Sequence, residues 1–144
     1  MAEYIDNLKS LHTILIDSKN GYEEALKDAE GRGLTELFSN MIALRERDSA
    51  EIAGLLATLG EKADDKGSFM TTVNRAIISI RSLFGDLDGA ILPGLIDGEK
   101  RISTYYDSAL ETVGSTADRA VLTRQLEKVR SVIADMERQN SLAA

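Results

Sequence analysis

Few side chains in this sequence have the type and placement to do chemistry, and Glu99 in GLIDGEKRIS (residues 94–103) leads them. Around it Leu92, Leu95, Ile102, Tyr106, Ala109 and Val113 recur at helical spacing, and Glu99 fills the slot in that stripe where a leucine is expected. A carboxylate facing a helix core is costly unless something pairs with it. His12, Lys19, Asp48, Glu51 and Gln125 also fall on or beside apolar stripes. Two chemistries fit. Glu23, Glu51, Glu99 and His12 are donor types that hold iron, manganese or a small polar ligand. The same residues can instead form a paired polar network that fixes helix register. The network is the preferred reading, with Glu99 paired to cations or polar groups of neighbouring helices and no metal or other cofactor expected.

Counting outward from a turn near Arg32 sets Lys19 level with Arg45 and His12 level with Glu51, which allows a His12–Glu51 pair. His12, near a helix start, is expected to be half exposed. Lys19 and Arg45 are expected to reach water along apolar stems. RERDSAE (45–51) offers Arg45–Asp48 and Arg47–Glu51 pairs of the kind common on a solvated helix. Tyr22, Tyr105 and Tyr106 read as core packing rather than as radical carriers.

Other chemistries lack their residues. The absence of cysteine removes disulfides, thiolate metal sites and a thiol nucleophile. GRGLTE follows no strand, so it is not a dinucleotide loop; GEKADDKGS lacks the Gly-Lys-Ser/Thr ending of a phosphate loop. No Ser–His–Asp set has local support. The net charge of −7 repels phosphate backbones, which argues against general nucleic-acid binding. The N-terminus lacks the basic and apolar regions of a signal peptide, and no apolar run is long enough to span a membrane. A cytoplasmic protein is expected.

The elements that must position these residues are helices. With one proline, no tryptophan and a composition rich in Ala, Leu, Glu and Arg, helix is favoured over strand. A first helix is expected from about Glu3 to Ala29, with Ile5, Leu8, His12, Leu15, Lys19, Tyr22 and Leu26 on its stripe, closed by GRG at 31–33. A second runs from about Leu34 to Leu59 with Leu37, Met41, Leu44, Asp48, Glu51 and Leu55, widened by Phe38, Ile42, Ile52 and Leu56; Gly60 ends it. After the polar loop EKADDKG, Ser68 caps a short helix carrying Phe69, Val73, Ile77, Ile80 and Phe84, broken by GDLDG at 85–89. A third long helix runs to about Thr112, with Pro93 close to its start, where it either marks the first turn or kinks the helix. Ser115 and Asp118 resemble a capping box opening a fourth, from Thr116 to about Asn140, with Leu122, Leu126, Val129, Ile133 and Met136 inward.

Short links make two antiparallel hairpins, and the connection between them is long enough to cross along the bundle. LIDSKN (15–20) echoes LIDGEK (95–100), and YEEAL (22–26) echoes YDSAL (106–110), as two related hairpins would. Two hairpins joined by a crossover define a ferritin-like arrangement. In DSKNGYEEAL, RERDSAEIAGLLATLG, VNRAIISIRSLF, LIDGEKRISTYYDSAL and QLEKVRSVIADM, in that order, the chain resembles a bacterial ferritin-like family of unknown function. It departs from that family at Asn74, Ile77 and Ile133, where His, Trp and His are frequent. An orthodox di-iron bundle needs two Glu-x-x-His motifs. Here Glu46 is followed by Ser49 and Glu127 by Arg130, and His12 is the sole histidine.

The expectation is therefore one all-α domain over residues 1–144, a ferritin-like four-helix bundle with a short fifth helix in the crossover. Its expected role is non-enzymatic, in a self-associating homo-oligomer without an orthodox di-iron site. The alternatives are a carboxylate-rich metal-binding or oxidoreductase protein, and a partner- or membrane-binding module that uses Arg75, Arg81 and the apolar face of the crossover helix.

Overall fold

In the computed structural model, residues 2–28, 35–63 and 91–143 are described. They form four helices: α1 (Ala2–Asp28), α2 (Thr35–Thr58), α3 (Ile91–Thr112) and α4 (Thr116–Ala143), with no strand among the described residues. Each observed end lies close to its expected one, and α4 runs three residues further than expected. The GRG turn, the short helix after Ser68 with Arg75 and Arg81, and the GDLDG break lie outside the described residues.

The ends follow from local chemistry. Gly60 takes φ 79°, a left-handed conformation that costs a residue with a Cβ. The amide of Glu61 donates to the Leu56 carbonyl at 2.9 Å and that of Gly60 to the Ala57 carbonyl at 3.0 Å. This is the Schellman closure, which satisfies two orphan carbonyls of α2. Pro93 lies in the first turn of α3, where its missing N–H costs nothing. Ser115 caps α4, its Oγ accepting from the Asp118 amide at 3.2 Å. The Asp118 carboxylate accepts from the Tyr4 hydroxyl at 2.8 Å, so this cap also ties α4 to the start of α1.

Cross-helix contacts give the topology. Lys9 of α1 pairs with Glu61 just beyond α2, and Ser18 meets Arg45, so α1 and α2 are antiparallel. Asn7 reaches Thr112 at 3.0 Å, while Tyr22 reaches Glu99, so α1 and α3 are antiparallel too. Arg130 with Asp107, and Lys100 with Glu137, set α4 against α3. Gln125 and Arg124, in the N-terminal half of α4, bond to Asp48 and Glu51 in the C-terminal half of α2. The helices therefore ring the core in the order α1, α2, α4, α3, running up, down, up and down around it. In chain order this is up, down, down, up, with α2 and α3 parallel and diagonally opposed. Thr58 and Ile91 consequently lie at opposite ends of the bundle, as a lengthwise crossover requires.

The stripes of α3 and α4 are the expected ones. Leu92, Leu95, Glu99, Ile102, Tyr106, Ala109 and Val113 are all buried, as are Leu122, Leu126, Val129, Ile133 and Met136. In α1 and α2 the buried face is rotated from the expected stripe. Tyr4, Leu8, Leu11, Leu15, Tyr22 and Ala25 form the core of α1, leaving Ile5 and Leu26 packed at its edge. In α2 the centre is Phe38, Met41, Arg45, Asp48, Ile52 and Leu56, with Leu37, Ile42 and Leu55 at the margin. The polar residues beside the apolar stripe mask the true centre.

Candidate functional site

That rotation puts Arg45 at the middle of the bundle. Its side chain is fully buried, and the expectation that it reaches water is overturned. One helical level is shared by Ser18, Tyr22, Arg45 and Glu99, and they meet there. The Arg45 Nη2 pairs with Glu99 Oε1 across the diagonal from α2 to α3. The Nε of Arg45 donates to Ser18 Oγ at 3.2 Å, and the Tyr22 hydroxyl donates to Glu99 Oε2 at 3.0 Å. Glu99, 1% exposed, therefore has a partner on each oxygen. Burial opposes the charge on Arg45, but Glu99, Tyr22, Tyr106 and Asp48 outweigh it and raise its pKa. Burial first, then the Glu99 charge, holds the Tyr22 hydroxyl well above its usual range, so it keeps the proton it donates. Tyr22 also packs against Phe38, ring centroids 5.7 Å apart.

A second polar network lies further along the bundle. The Tyr106 hydroxyl donates to Gln125 Oε1 at 2.7 Å, and Gln125 Nε2 donates to Glu51 Oε1 at 3.1 Å and more weakly to the Asp48 carbonyl. Arg124 closes on the other oxygen of Glu51. Burial pushes Glu51 up, but the hydrogen bonds from Arg124 and Gln125 prevail and lower its pKa. Burial pushes the Tyr106 hydroxyl far above its usual range, with Asp48 adding to it. Tyr22 and Tyr106 are thus core residues, as expected, and each also closes a polar contact.

Among the described residues two buried carboxylates accept no hydrogen bond. Asp48 lies between the two networks, with the Arg47 Nε 3.7 Å away, and burial raises its pKa against the pull of Arg45 and Arg47. Asp17, 2% exposed, is pushed by burial to about 6, against the pull of Arg101. One nitrogen of Arg45, Nη1, also has no acceptor among the described residues.

The four residues weighed as metal ligands are spread through the bundle. Glu99 belongs to the Arg45 pair. Glu51 is partly exposed and bonded to α4. Glu23 is partly exposed on α1, 3.7 Å from Lys19, which also approaches Glu46 at 3.9 Å. His12 is 2% exposed rather than half exposed, buried beside Leu8, Leu11 and Leu15 although the core of α1 is centred on Leu11 and Leu15 rather than on it. Among the described residues no three His, Asp or Glu side chains are grouped so as to hold a metal ion. The donor set does not fit the paired metal of ferritin-like bundles: at Glu99 the positive charge is supplied by Arg45.

Sequence reasoning missed Arg45 and Asp17. Arg45 had a signal, since 38, 41, 45, 48, 52 and 56 repeat at three- and four-residue spacing. Asp17 had none, because it lies off the α1 stripe.

The fold and this centre define an all-helical bundle closed through its middle by an ion pair. The chain belongs to the family described as a domain of unknown function, DUF2383, whose model matches residues 3–112, from α1 through the end of α3. No curated protein and no solved structure matches the chain significantly. No helix among the described residues is long and apolar enough to cross a membrane.

Proposed function

We propose that this protein is a ferritin-like bundle that works without a metal centre, as a non-enzymatic scaffold that associates with copies of itself. The observation that carries this reading is the buried Arg45–Glu99 pair. It satisfies the one fully buried glutamate among the described residues with a guanidinium, and sets a permanent positive charge where a divalent cation would otherwise be held. A metal brought to Glu99 would have to displace that guanidinium and then lie beside it, at a Coulombic cost that a low-dielectric interior magnifies. The up-down-down-up order supports the ferritin-like assignment, and Glu99 fits as a carboxylate position kept after its histidine partners were lost.

Self-association draws support from the outer face of α2. Gly54 sits mid-helix on the surface, where glycine weakens a helix by about 1 kcal/mol relative to alanine. A Cβ there would meet nothing within 4 Å, so the fold itself does not call for the glycine. With exposed Ala50 and Ala57 it makes a face that another helix can approach closely. Light scattering on a sizing column tests this. A defined oligomer that dissociates on Gly54→Arg is expected; a monomer at all concentrations overturns the association.

A further inference from the structure

Between α2 and α4 the bundle surface opens into a groove of about 390 Å³. That size is at the lower end for small-molecule sites. Its floor is apolar: Met41, Leu44 and Met136, flanked by Leu37 and Val132. The two methionines can reshape themselves around a flexible guest. The charges are arranged unevenly along it. Because the helices are antiparallel, Arg47 and Lys128 stand at one end and Leu37 and Gln139 at the other. The basic end is also the closed end, since just beyond it Arg124 and Gln125 reach across to Glu51. The groove's acid, Asp135, is matched by Arg138 one turn along α4; at the basic end Arg47 stands 3.7 Å from the buried Asp48 carboxylate, while Lys128 makes no ion pair among the described residues. From Arg47 to Leu37 is ten residues of helix, or ~15 Å at 1.5 Å per residue.

We propose that this groove binds a single-chain carboxylate amphiphile of medium length, with its carboxylate held by Arg47 and Lys128 and its chain laid over Leu44, Val132, Met41 and Met136. The match is one of charge and shape. A groove with an apolar floor running along two helices suits a flexible chain, and a cationic end fixes its direction. The proposal does not rest on self-association or on the Arg45–Glu99 pair.

Calorimetry with dodecanoate below its micellar concentration tests it, with dodecanol of equal chain length as the uncharged control. Two surface variants probe the headgroup end and the apolar floor. Lys128→Glu reverses a charge whose loss breaks no contact seen among the described residues. Ala43→Trp puts an indole into the groove from an exposed position. The expected result is saturable binding of one dodecanoate per chain, weakened at least tenfold by Lys128→Glu and abolished by Ala43→Trp, with circular dichroism of both variants unchanged. Dodecanol should bind more weakly and be indifferent to Lys128→Glu. Absence of saturable dodecanoate binding overturns the proposal, as does binding that survives Ala43→Trp in a folded variant. Binding accompanied by a change in oligomeric state in place of a one-to-one complex also overturns it.

Discussion

Arg45 and Glu99 need each other more than the fold needs either. A buried pair is costly to desolvate, and breaking it by removing one partner leaves an uncompensated charge. Arg45→Ala is therefore expected to destabilise the protein by about 3–5 kcal/mol in urea unfolding. The double replacement Arg45→Met with Glu99→Leu is expected to recover part of the loss, because apolar side chains of similar volume carry no desolvation cost while the Tyr22 hydroxyl and Ser18 lose their partners. A double variant as unstable as Arg45→Ala would contradict an uncompensated buried charge as the source of the loss. Asp17 gives a pH-dependent counterpart. Its carboxyl titrates at about 6 in the folded chain against 3.8 for an ordinary aspartate. Between those values the folded state binds more protons than the unfolded one, so stability falls as pH rises from about 4 to 6 and stays low above. Asp17→Asn is expected to stabilise the protein at pH 7.5 by up to about 3 kcal/mol, since each tenfold change in proton affinity corresponds to about 1.4 kcal/mol. The gain should vanish near pH 4. A gain independent of pH would rule out the carboxylate as its source. At this scale the sequence was partly legible. Glu99 declared itself because a charge interrupts an otherwise apolar stripe. Arg45 did not, since RERDSAE reads as a solvated run and its inward direction depends on how far α2 is rotated. Asp17 is buried on a face the helical period assigns to the outside.

Helix ends were the most legible elements, because capping chemistry is local. Gly60 and Ser115 stop and start helices through backbone groups within a few residues of themselves, and both were placed correctly. Gly60 also gives a clean prediction. It holds φ 79° in open space, so a substituted side chain would strain the backbone and disturb nothing else. Gly60→Ala is expected to cost about 1 kcal/mol. A neutral effect would mean that the end of α2 unwinds without consequence. The rotation of α1 and α2 was less legible. Each has apolar residues on more than one third of its circumference, and polar residues such as Lys19 and Glu51 flank the core, so periodicity alone leaves the centre uncertain by one position. The α3 stripe is narrower and left no such freedom.

For the whole molecule, the up-down-down-up order follows from cross-helix pairs that no single stretch of sequence reveals, and link lengths foretold it. Two short links and one long one leave few ways to close four helices around one core. In that arrangement α2 and α3 are diagonal, and a pair between them passes through the centre of the bundle. A guanidinium at that centre, in place of a metal, is the feature on which the proposed role depends. Elemental analysis of untagged protein purified without chelators, alongside Glu99→Ala, puts it to the test. Substoichiometric iron and manganese are expected in both proteins. One or two metal ions per chain in the wild type, lost in Glu99→Ala, would contradict a guanidinium-filled centre.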